Sequence, residues 1–372
     1  MLLHASMAVV ALPYASDGRA ERGLAMGITR RGLLRAGLAL PALLAACGRA
    51  TTTEDIQTSF FCFDTVCAIG GVMEQELLDA AEERCHEFEE LLSRTLPQSD
   101  VSRINAAGGE AVEVDPRTAD LIGQALTYCS ASDGLFDITI GAVSSLWDFH
   151  EGVVPTPEQI AAALPHVGYA CVRVSGTTVQ LADPEARIDL GGIAKGYTGD
   201  RVGEVFSRYK ISSGIISLGG NVQAFGSKLN GKPWRVAVQN PESSLEYLGV
   251  LDVENKAVVT SGGYERYFEE NGVRYHHIID PRTGYPADSG LISATIVCDQ
   301  GILADGLSTS LFIMGKDQAE KFWRESSWNF DYILEDKEGT LYVTEGIADS
   351  LTTDANVVIV NRYVEETDNE KK

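Results

Sequence analysis

Glu265-Arg-Tyr-Phe-Glu-Glu270, then Asn271-Gly272, then Val273-Arg-Tyr-His-His-Ile-Ile279: two strand-like runs flank a dipeptide that tolerates two left-handed residues. The stretch predicts a hairpin between sequence neighbours. Beyond it, residues 291–297 read as another strand, and residues 302–314 as a buried helix ending at Gly315. Before it, residues 214–218 are apolar and end in Gly219-Gly220, and residues 234–239 alternate until Asn240-Pro241. Residues 179–188 also read as extended. Leu77, Leu78, Ala81, Cys85, Phe88 and Leu92 form an apolar stripe at helical spacing within residues 75–93. Leu121, Ile122, Ala125, Leu126 and Cys129 form a second. Thr156-Pro157-Glu158-Gln159 is a capping box opening a short helix to about Leu164, and a further helix spans residues 194–209. Neighbour hairpins with irregularly spaced helices favour α+β over a doubly wound parallel sheet.

The chain has 372 residues, 44% of them hydrophobic and 22% charged, which is globular composition with ample material for a core. With 30 Lys+Arg against 53 Asp+Glu the net charge is −23, which argues against gripping nucleic acid. A local site can still invert that sign for a small anion. Residues 1–47 read differently from the rest. Thr29-Arg30-Arg31-Gly32-Leu33-Leu34 is a twin-Arg start, an apolar run follows from Ala36 to Ala46, and Leu44-Ala45-Ala46-Cys47 closes it. This is the pattern of an export signal with lipid attached to Cys47, placing the mature protein on the extracytoplasmic face of a membrane. Met26 offers a second start, which would leave residues 1–25 outside the protein. The expected order is then signal (1–47), linker (48–58), one domain (59–362) and an acidic tail (363–372). Cys62, Cys67, Cys85, Cys129, Cys171 and Cys298 match no zinc spacing. They read as buried free thiols, with a Cys62–Cys67 bridge as the alternative.

Several segments carry candidate chemistry. Asp189-Leu-Gly-Gly-Ile-Ala-Lys195-Gly196 follows an extended stretch and opens a helix, which suits an anion or equally a tight turn with a surface Lys. Asp305 and Thr309 share a helix face among apolar neighbours. Their hard oxygens suit Mg²⁺; as a segment alone, a capping Asp is the other reading. His277, Asp280 and Arg282 lie in a turn where His277 can act as base or phosphate donor and Arg282 can pair with phosphate; a plain Asp-Pro turn is the alternative. In the Gly134–Gly141 block, Phe136 can cover a flat ring and Asp137 can accept from it, or the block is a strand with a core Phe. Thr260-Ser-Gly-Gly-Tyr-Glu-Arg266 again suits phosphate.

In order, Phe63-Asp64-Thr65, Ser102-Arg103-Ile104-Asn105, the Gly134–Gly141 block with Trp147, Asp189–Gly196, Leu218-Gly219-Gly220-Asn221, Thr260–Arg266, His277–Gly284 and Ala304–Thr309 resemble the ApbE family of FAD:protein FMN transferases over roughly residues 59–343. The resemblance implies an α+β, T-fold-like protein of two related antiparallel sheet-plus-helix halves, with FAD between them. It implies an FAD site lined by Phe63, Thr95, Leu135, Phe136, Asp137, Asp189, Lys195 and Ile279. Mg²⁺ would be held by the Gly192 carbonyl, Asp305 and Thr309, with Ser308 nearby. The implied reaction moves FMN from FAD to a Thr or Ser hydroxyl of an acceptor flavoprotein and releases AMP. His277 assists the hydroxyl in that reading, with Asp280 as its rival and Lys195 as phosphate clamp. An FAD pyrophosphatase and a non-catalytic FAD-binding lipoprotein are the competing expectations.

Overall fold

The computed structural model describes residues 54–363, Glu242 apart. The signal, Cys47 and the tail beyond Tyr363 lie outside the described residues. Among the described residues, nine strands form one sheet. In spatial order they are Glu54–Cys62, Thr65–Met73, Ser213–Leu218, Asn221–Gly226, Lys256–Gly262, Leu291–Cys298, Phe330–Asp336, Leu341–Thr344 and Val357–Val360. Neighbours are antiparallel except the last pair.

The chain lays down the same unit twice. Two strands, the helices Gln75–Leu92 and Ala194–Arg208, and two more strands make the first half. Lys256–Gly262 and Leu291–Cys298, the helices Gly301–Met314 and Lys316–Glu325, and Phe330–Asp336 and Leu341–Thr344 make the second. Within each half the four strands sit side by side in chain order. This is the α+β architecture of two related halves that the resemblance implied. An inserted segment with the helix Pro116–Ala131, several shorter helices and a small sheet lies between the two helices of the first half, and the predicted hairpin lies between the first two strands of the second.

Period-two burial separates the faces of the sheet. Val259, Ala294, Ile296, Tyr332 and Leu334 pack with Phe88, Tyr197, Leu311 and Trp323 of the helices. Val258, Val297, Ile333 and Val343 point the other way, onto Trp234, Val236 and Leu251 of a small second sheet. The Gly301–Met314 helix is buried nearly throughout. Its first two free amides, Gly301 N–H and Ile302 N–H, donate to the Asp200 carboxylate at 2.6 and 2.9 Å.

Burial overrides those two bonds and pushes the Asp200 carboxyl up to about 6, from 3.8. A carboxyl raised on folding adds stability that is full below pH 3.8 and lost as pH rises through 6. The shift corresponds to about 3 kcal/mol. Asp200→Asn keeps an acceptor for the helix amides. Urea unfolding at pH 4 and pH 8 is expected to show a smaller loss of stability between the two for the variant than for the parent.

Most elements fall where the periodicity puts them, including the Thr156–Gln159 capping box. Four differ. Glu54–Thr58, expected as linker, belong to the first strand, a sheet-edge strand that half-buries Ile56, Thr58 and Phe60 and so stays polar in sequence. The extended stretch 179–188 is a strand only over Thr178–Leu181, because Asp183 caps a turn at Pro184-Glu185. The hairpin is shorter than its apolar pattern, Tyr267–Glu270 with Val273–His276; Asn271 and Gly272 take φ of 51° and 77°. The six cysteines are free. Cys67 Sγ donates to the Cys62 carbonyl at 3.5 Å, and no Cys62–Cys67 bridge forms.

Candidate functional site

The site is assembled where the two halves meet. Gly196, in the first turn of the Ala194–Arg208 helix, lies against Gly301, at the start of its partner. A Cβ on Gly196 would fall 2.2 Å from the Gly301 carbonyl oxygen and 2.7 Å from Asp305 Cβ. Only glycine allows this approach. It lets Gly196 N–H donate to Asp305 Oδ2 at 2.8 Å, across 109 residues of sequence. Burial raises the Asp305 carboxyl above its ordinary range, while the Lys195 charge and the Gly196 N–H oppose the rise.

Hydroxyls gather around this carboxylate. Ser261 Oγ lies 2.8 Å from Ser308 Oγ and 3.3 Å from Thr309 Oγ1. Ser308 Oγ in turn donates to the Asp305 carbonyl at 2.9 Å. A Cβ on Gly192 would stand 3.5 Å from Thr309 Oγ1 and 3.2 Å from the Phe136 ring. Gly192, Asp305 and Thr309 therefore converge, as does Phe136. Asn221 is buried beside Asp305, and its side-chain amide also opposes the rise there. A carboxylate, hydroxyls and a carboxamide are hard oxygen donors of the kind that suits Mg²⁺.

Charges of both signs face the same space. Glu265 is raised by burial and by Asp305, and lowered by Lys195 and Arg266. His277 is pushed down to about 3, first by burial, then by the Arg266, His276 and Lys195 charges. Its Nδ1 is buried without a partner. The ring is neutral at any working pH and has a nitrogen unspent.

Other expected residues are committed elsewhere. The Asp137 carboxylate accepts from Thr139 N–H, Thr139 Oγ1 and Tyr169 N–H at 2.8, 2.6 and 2.8 Å, so it braces a loop. Asp280 accepts from Arg282 N–H and, through both oxygens, from the Arg282 guanidinium, at 2.7 to 3.2 Å. That clamp removes it as the rival base. Asp189 accepts from Gly191 N–H at 2.9 Å and Ser144 Oγ at 3.2 Å, and pairs with Arg94 at 3.4 Å, so it shapes the glycine loop. Asn105 holds that loop's approach by bonding both the N–H and the carbonyl of Ile188. Leu135 is buried, and Ile279 packs with Trp147 and Val143. Thr95 is exposed, 3.0 Å from Ser93 Oγ.

Phe63 and Asp64 form the two-residue turn of the first hairpin, both in the left-handed region with φ of 54° and 56°. A bulky residue held there is strained. Three contacts hold it: Phe63 N–H donates to Glu89 Oε1 at 2.7 Å, and Arg266 donates to the Asp64 carbonyl at 3.3 Å and pairs with its carboxylate at 3.5 Å. Ser261, Asn221, Glu265, Arg266 and Glu89 were not assigned from sequence. For the first four, the Thr260–Arg266 and Leu218–Asn221 blocks were the available signal.

A seam between two half-sheets, carrying the Asp305 and Glu265 carboxylates, clustered hydroxyls and two cations, has the chemistry to take a phosphate-bearing ligand. The ApbE family model matches residues 62–334. A Haemophilus influenzae protein named FAD:protein FMN transferase is 32% identical over 262 residues, covering 65% of this chain and 76% of that one. The crystal structure of an ApbE protein from Thermotoga maritima superimposes with a TM-score of 0.73 at 33% identity, covering 79% of this chain and 98% of that one. The flavin transferase ApbE from Vibrio cholerae gives 0.68 at 25% identity, covering 82% and 97%. The chain belongs to the ApbE family.

Proposed function

We propose that this chain transfers FMN from FAD to a Thr or Ser hydroxyl of an acceptor protein, with Mg²⁺, releasing AMP. The observation that carries the reading is the convergence of Asp305, Thr309 and Gly192 beside Lys195 and the unspent Nδ1 of His277. Asp305, Thr309 and the Gly192 carbonyl would hold the metal. When bound, it neutralises charge building on the departing phosphate. Lys195 and Arg266 attract the diphosphate. His277 takes the proton of the acceptor hydroxyl as its oxygen bonds to the FMN phosphorus, and the bond to the AMP oxygen breaks. Phe136, against Gly192, offers a flat apolar wall, and Phe63 stands on its turn near Arg266. The mature protein is held by lipid on Cys47 at an extracytoplasmic membrane face, where it meets its acceptor.

The test supplies the purified protein with FAD, Mg²⁺ and an extracytoplasmic flavoprotein domain, following AMP and FMN and weighing the acceptor by mass spectrometry. AMP release with an FMN adduct on a Thr or Ser is expected. AMP and free FMN without an adduct would make the chain a pyrophosphatase. Unchanged bound FAD would make it a binding protein.

A further inference from the structure

Beside the Phe63 turn, Cys62, His86 and Glu89 bring one thiol sulfur, one imidazole nitrogen and one carboxylate oxygen all within 4.8 Å of one another. His86 and Glu89 are one helical turn apart on the Gln75–Leu92 helix, and Cys62 ends the strand that crosses it. We propose that Cys62, His86 and Glu89 bind a zinc-class transition metal ion, fastening the first hairpin to this helix.

Geometry supports the proposal. His86 Nδ1 lies 3.8 Å from Glu89 Oε2. Two ligands on tetrahedral zinc, at their usual bond lengths, stand about 3.3 Å apart. A small rotation of two half-exposed side chains closes the difference. The ligand types select the metal: thiolate with imidazole suits zinc, copper or cobalt, and excludes the hard Mg²⁺. Glu89 is already oriented from behind, since its other oxygen accepts Phe63 N–H at 2.7 Å. Cys62 is fully buried while His86 and Glu89 side chains are 43% and 29% exposed, so the ion has an entry path and room for a water as fourth ligand. Burial and the Glu89 charge keep Cys62 a protonated thiol when no cation is present. Binding therefore forms a metal–sulfur bond and sends the thiol proton to solvent.

The full chain, reduced and stripped of metal, is titrated with Co²⁺ and then Zn²⁺. One equivalent of Co²⁺ giving a thiolate-to-cobalt charge-transfer band, displaced by Zn²⁺, is expected. His86→Gln and Cys62→Ser should each weaken binding about 100-fold or more. His86→Gln alters a half-exposed ring and keeps the test valid if Cys62→Ser fails to fold. Asp305→Asn should leave the band unchanged, which separates this ion from the one at the seam. A band absent from the parent, retained in His86→Gln, or lost in Asp305→Asn would overturn the assignment.

Discussion

Asp305→Asn is expected to lower FMN transfer by about 10³-fold or more while leaving the metal-free fold intact. The magnitude follows from the metal's part in transition-state charge stabilisation, worth several kcal/mol, at 1.36 kcal/mol per tenfold in rate. The intact fold follows from the electrostatics. Asp305 is buried, and its carboxyl is raised above the ordinary range. A group raised on folding gives stability that is full below its unfolded value and lost as pH rises through the folded one. Burial disfavours the charged form of Asp305 in the metal-free parent, a penalty that asparagine lacks, while asparagine still offers an oxygen to Gly196 N–H. Thermal melts at pH 8 should show Mg²⁺ raising the Tm of the parent and not of the variant, with the metal-free variant melting no lower than the metal-free parent. Near-full transfer by the variant with Mg²⁺ present would remove Asp305 from the metal site.

His277→Ala should cost about 10² to 10⁴ in transfer rate, the usual range for a positioned general base, with FAD affinity little changed. The ring sits at about 3 because burial and the Arg266, His276 and Lys195 charges disfavour a further cation. A diphosphate brought between those cations offsets them and raises the ring toward its ordinary value, so the base strengthens when substrate is in place. Single-turnover rates in the parent should climb with pH through that bound-state ionisation, and the variant's should not. Stability carries the opposite signature: a histidine lowered on folding contributes stability above pH 6.5 that is lost as pH falls toward 3. If His277→Ala loses FAD binding and rate in equal measure, the residue holds ligand and moves no proton.

Much of this was readable from residue order. Apolar stripes gave the Gln75–Leu92 and Pro116–Ala131 helices because one face of each is buried. Asn271-Gly272 gave its hairpin because the turn demands two left-handed residues. The doubled unit was legible only through family resemblance, since its two copies differ in insertions and share no repeated motif. Asp137 and Asp280 show where local reading stops. Each carries the residue type that the chemistry wants, yet each is engaged by a group two residues away, Thr139 and Arg282, and Asp137 also by the distant Tyr169 N–H. Arg266 and Asp64 are 202 residues apart, and Ser261 and Ser308 are 47 apart. No local spacing rule reaches such pairs, because they exist only once the sheet is complete.

The glycine crossing at Gly196 and Gly301 bears on the order of folding. Its bond to Asp305 closes a loop of 109 residues, and the two helices it joins come from opposite halves. Closing loops of that length is slow relative to forming hairpins within either half. The hairpins Glu54–Cys62 with Thr65–Met73 and Ser213–Leu218 with Asn221–Gly226 can form first; joining them spans 143 to 151 residues, so the pocket comes into being only with such long-range closures. A ligand that recognises the finished pocket stabilises the docked chain and neither half alone, so its protection should extend to amides across the whole nine-stranded sheet.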